Sequence, residues 1–141
     1  MKLKSLAEDY LRKAKARRKA LEVLHTERSF DDVVREAQEI VELCLKGALR
    51  TIGVDPPKKH DVANLLIRFQ DRLPVKWRDR LGEIESFSKR LFEERGHAFY
   101  GDESSLIPAA ELFTDDDASF AIESVDESIA FLIDLLASKT K

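Results

Sequence analysis

The chain has 141 residues, 43% hydrophobic and 36% charged, with a formal net charge of −3. This length gives one domain with a true core and excludes two comfortable ones, while the apolar share excludes a disordered chain. Five Gly and four Pro leave little turn material for a β-rich protein, so the composition favours long helices with charged outer faces.

Residues 3–26 read as a first helix. Leu3, Ala7, Tyr10, Ala14, Leu21 and Leu24 fall near one side of a 3.6-residue period, with an interruption at Arg17-Arg18. Ser29 is a suitable N-cap for a second helix with Asp31 and Asp32 in its first turn. Its apolar stripe (Val33, Ala37, Ile40, Val41, Cys44, Leu45, Ala48, Leu49, Ile52) is the strongest in the chain and predicts the central helix. Gly53 and Pro56-Pro57 end it.

Asp61 is placed to cap a short third helix over 62–71, with Val62, Leu65, Leu66 and Phe69 inward. His60-Asp61 reads as a cap arrangement more naturally than as a ligand pair. Pro74 suits the first turn of a fourth helix running to about residue 97, with Leu81, Ile84, Phe87, Leu91 and Phe92 on its apolar side; Trp77 near its start reads as core more naturally than as a partner anchor. Residues 98–113 break the pattern as a loop rich in apolar side chains, which predicts that it packs down on something. A last helix begins at Thr114 or the following aspartates, with the stripe Ala118, Ala121, Ile122, Val125, Ile129, Leu132, Ile133 and Leu136. No repeat and no period-2 pattern interrupts this order. The expected architecture is all-α, an antiparallel bundle of four to five helices forming a single domain over 1–141.

Charge is uneven along the chain. Residues 1–20 hold eight basic and two acidic side chains, and residues 101–141 hold ten acidic and two basic. Such polarity suits either solvated helix faces or an electrostatically steered partner, RNA at the basic end among them. Gln38, Glu42 and Lys46 stand at i, i+4 and i+8 on the central helix. They form a polar ridge, read either as surface pairing of Glu42 with Lys46 or as a buried polar line at a partner surface. Cys44 lies within the apolar stripe as a core thiol. As the only cysteine it makes no internal disulfide, which fits a reducing cytoplasm. Lys2-Leu3-Lys4-Ser5 begins no secretory signal, and no apolar run nears the roughly 18 residues of a membrane span. A cytoplasmic location away from membranes is therefore expected.

His25, His60 and His97 have no Cys or second His at metal-ligand spacing, and the chain carries no Walker A loop, no GxGxxG and no GxSxG. Neither a metal nor a cofactor is expected.

The order of signals resembles the HEPN family, the higher eukaryotes and prokaryotes nucleotide-binding domain. One part of the resemblance is the opening helix LAEDYLRKAKAR. It is followed by Ala37-Gln38, Glu42, Leu45-Lys46, Gly53, Pro56-Pro57 and His60-Asp61. Another is ERGHAFYGDES with the later IPAAELFTDDDA, similar to the FYGDE segment of one prokaryotic branch. The resemblance implies a helical bundle, a homodimer, and pairing with a minimal nucleotidyltransferase in toxin–antitoxin-like modules. Active toxin members are implied to be metal-independent endoribonucleases using an Arg and a His with four to six residues between them. There Arg steadies the scissile phosphate and His moves a proton.

Two registers of that motif are open here. Alignment on the FYGDE segment puts Arg95 at the motif arginine and Tyr100 near the histidine position, which makes Arg95 and Tyr100 candidates for nucleotide or RNA binding. Arg90 and His97 formally satisfy the spacing and are the candidate catalytic pair. Neither arginine is followed by Asn, which favours a binding and interaction module over the nuclease.

Overall fold

The stripe read on residues 33–52 becomes the spine of the molecule. In this computed structural model, which describes residues 2–58 and 62–139, the helices are α1 (Lys2–Thr26), α2 (Phe30–Thr51), α3 (Ala63–Arg68), α4 (Val75–Arg78), α5 (Leu81–Tyr100), α6 (Ala109–Leu112) and α7 (Asp115–Lys139), with a 3₁₀ turn at Gln70–Arg72. His60-Asp61 lie outside the described residues. Four long helices make the bundle expected from the sequence. The α2 helix packs most heavily against α1 and α7, and less heavily against α5.

Side-chain pairs fix the directions. Arg17 reaches Glu36 and Glu39, so α1 and α2 are antiparallel at that end, and Arg50 lies over the Tyr10 ring at the other. Arg18 pairs with Asp126 and His25 with Asp115, so α1 also runs against α7. Arg80 meets Glu127 and Arg90 meets Asp117, which sets α5 antiparallel to α7. The α2 and α7 helices therefore run the same way through the middle. Part of the charge polarity is internal: Arg18 of the basic N-terminal stretch pairs with Asp126 of the acidic C-terminal stretch.

All nine residues of the α2 stripe are buried, with Ile52 the most exposed at 6%. Such an arc is held by burial of apolar surface rather than by helix propensity. Gly47 lets α7 come close, since a Cβ there would stand 2.9 Å from Leu132 Cδ2. Cys44 is fully buried, and that burial pushes its thiol pKa up to about 12. It is a core side chain with no thiolate chemistry at neutral pH. At the start of α7 the Thr114 N–H donates to Asp117 Oδ2 and the Asp117 N–H donates to Thr114 Oγ1, a reciprocal cap.

Several boundaries differ from the sequence reading. The third helix is split into α3 and the 3₁₀ turn, and the fourth into α4 and α5, with the break at Asp79-Arg80. The reason is tertiary: Trp77 turns inward, packs 4.9 Å from Phe131 and donates its indole N–H to Asp134 Oδ2 at 3.1 Å. The α5 helix then runs on to Tyr100, so Ala98, Phe99 and Tyr100 are helical rather than loop. Gly101, at φ 77°, stops it. Ser29 gives its hydroxyl to the Asp32 and Asp31 carboxylates instead of capping a backbone N–H.

The inward face of α7 is also rotated. Ser124, Ser128, Phe131 and Leu135 are buried in addition to Ala118, Ala121, Val125, Leu132 and Leu136, while Ile133 is 39% exposed and Ile122 and Ile129 are half-buried. The two serines tolerate burial because each donates its hydroxyl to a carbonyl four residues back, Phe120 O and Ser124 O.

Candidate functional site at the end of α5

The four candidate residues share α5 but not one environment. Arg90 is committed. Its Nε donates to Glu94 Oε1 at 2.8 Å, its Nη2 to Asp117 Oδ1 at 2.9 Å, and its guanidinium lies 3.9 Å from the Phe120 ring centroid. This is an α5–α7 clasp. His97 stands seven residues on, which is about 10 Å along a helix axis at 1.5 Å per residue. It is exposed and lines a cleft of about 310 Å³ with Gly96, Tyr100, Gly101, Asp102, Glu103 and Ser104. Arg90 is not among the residues of that cleft.

The cleft is acidic in character. The Ser104 hydroxyl and the Ser105 N–H both donate to Asp102, which holds its carboxyl below the usual carboxylate range. The carbonyl end of α5 adds partial negative charge. An anion is disfavoured there.

Arg95 is different from Arg90. It is half-buried, lies 4.2 Å from the Phe92 ring centroid, and makes no carboxylate pair among the described residues. A second arginine repeats this arrangement and was missed by sequence reasoning. Arg35 of α2 lies 4.3 Å from the Phe99 centroid and likewise makes no carboxylate pair among the described residues. Phe99 in turn meets Tyr100 edge to face at 4.7 Å. Stacking engages the face of a guanidinium and leaves its edge donors available. Tyr100 is 66% exposed, so its phenol ring is open to a ligand.

Arg35 belongs to the ridge of Gln38, Glu42 and Lys46, one turn before it. Gln38 Nε2 donates to Glu42 Oε1 at 3.1 Å and Lys46 pairs with Glu42 at 3.2 Å. Gln38 is 7% exposed. The ridge is therefore paired as a surface row and also substantially buried. Extending it back by one turn in the sequence is the signal that finds Arg35. A separate cleft of about 330 Å³ between α5 and α7, lined by Arg80, Glu83, Phe87, Phe120, Glu123 and Glu127 among others, had no sequence signature.

Comparison with family models matches the HEPN domain over residues 7–135, nearly the whole chain. The chain belongs to the HEPN family, and its all-α fold agrees. Membership makes it a nucleotide- or RNA-related module in general. No curated protein and no solved structure matches it. Among the described residues, no helix is long and apolar enough to cross a membrane.

Proposed function

We propose that this HEPN domain is a binding and interaction module that holds RNA or a nucleotide without cutting it. As part of the same proposal it acts as a homodimer and alongside a minimal nucleotidyltransferase in a toxin–antitoxin-like pair, within the cytoplasm. One observation carries the non-cleaving reading. Arg90, the only arginine at motif spacing before His97, is spent on Glu94, Asp117 and Phe120. A nuclease of the Arg–His kind needs both groups at one phosphate.

Binding is assigned to the α2–α5 side. Arg95 offers guanidinium edge donors with no competing carboxylate pair among the described residues, and Tyr100 offers an open ring. Phosphate contacts supply affinity and aromatic stacking tolerates any base.

Fluorescence anisotropy with a labelled single-stranded RNA, and competition by adenosine triphosphate, tests this. Arg95→Ala should weaken binding and lower the salt slope by about one. Wild-type protein that binds neither probe would refute the reading.

A further inference from the structure

Behind α5 the chain builds a small, fixed loop. Asp102 and Ile107 exchange backbone hydrogen bonds of 2.9 and 3.0 Å, and the Asp102 carboxylate accepts from the Ser104 hydroxyl and the Ser105 N–H. Gly101 sits so close beneath it that a Cβ there would run into the Ile107 carbonyl oxygen. At the tip Leu106 has φ 59° and is 86% exposed. A branched apolar residue in the left-handed region is strained, and here its side chain gains almost no packing within its own chain. Two further exposed apolar side chains, Phe99 and Tyr100, end the helix that leads into this loop.

We infer that the Leu106 loop, with Glu103 beside it, is a docking knob for a different protein whose apolar pocket is bordered by basic side chains. The inference rests on the interaction half of the proposed function and not on RNA binding.

Charge decides between occupants. Asp102 and Glu103 flank the knob, and Glu103 is exposed. A two-fold contact of this loop with its own copy would set those carboxylates against themselves, and like charges juxtaposed at an interface are costly. A basic-rimmed pocket meets them with opposite charge. Arg35 is engaged on the Phe99 ring, and His97 lines the cleft beside Asp102 and Glu103, a cleft that Leu106 does not line. A second copy could use another face without engaging the loop.

The probe is a phage-displayed library of random peptides, selected on the intact wild-type chain. Enriched peptides should combine apolar residues with Lys or Arg. Their binding should weaken at least about tenfold on Leu106→Gly, the scale of an anchor residue. It should weaken further with added salt, and also on Glu103→Lys. Leu106→Gly removes the side chain and the strain together, so its melting temperature should be unchanged or higher, and RNA binding should persist. Peptides that bind Leu106→Gly as well as wild type, peptides selected for acidic residues, or no enrichment would each overturn the knob while leaving RNA binding to stand or fall separately. A wild-type dimer that dissociates on Leu106→Gly would overturn it in favour of self-association.

Discussion

Arg90 on α5 holds Asp117 in the first turn of α7 at 2.9 Å, with its guanidinium laid on Phe120 one turn further along. The same Asp117 accepts from the Thr114 N–H, so one carboxylate both caps α7 and receives the clasp. The pair is partly solvated, with 42% of the Arg90 side chain exposed. Arg90→Ala should therefore cost about 1 kcal/mol in a urea titration, the scale of a screened ion pair plus a ring contact. RNA binding should be unchanged. A variant of full stability with lost binding would instead put Arg90 at the ligand.

The central helix makes the strongest statement about the fold. Leu45 is fully buried on α2. Leu45→Ala should cost roughly 2–5 kcal/mol, as large-to-small changes in close-packed cores do. A loss below about 1 kcal/mol would mean that the cavity collapses freely, which a close-packed interior does not permit.

Cys44 should not react with a thiol reagent at pH 8 in the native protein, and should release one equivalent on unfolding. The folded thiol pKa is raised from 9.0 to about 12 by burial. The neutral thiol is favoured by the fold, so the unfolded chain ionises first as pH rises. This contribution to stability is intact below about pH 9 and is lost progressively from pH 9 toward 12. Cys44→Ala should remove that part of the alkaline slope. An identical slope in the variant would contradict the assignment.

Gly101 and Leu106 both have positive φ, yet they should respond oppositely to substitution. Gly101→Ala drives a Cβ into the Ile107 carbonyl, a backbone atom that cannot swing aside. It should cost about 1–3 kcal/mol through strain at this loop. Leu106→Gly should cost nothing. Thermal unfolding of the two variants, measured side by side, checks the difference in sign.

The sequence was most readable where one period governed burial. Val33, Ala37, Ile40, Val41, Cys44 and Leu45 follow a 3.6-residue repeat, and each is inside. The break at Asp79-Arg80 has no Gly or Pro to announce it, because it arises from Trp77 reaching Phe131 and Asp134 more than fifty residues away. Ser124 and Ser128 were missed on α7 because their polarity is satisfied by their own helix, which no hydropathy pattern records. At the site, spacing marked Arg90 and His97 as neighbours two turns apart. It could not register that Asp117, 27 residues downstream, occupies Arg90, nor that Arg35 comes across from α2 to Phe99.

The central claim is binding without cleavage, and incubation of a structured RNA with the purified chain, with and without EDTA, tests it most directly. Wild type and His97→Ala are compared by gel, with anisotropy on the same RNA. The account predicts intact RNA in every lane, and binding by wild type that weakens in Arg95→Ala. Cleavage that survives EDTA and disappears in His97→Ala would contradict it, because it would require an arginine to join His97 at the scissile phosphate.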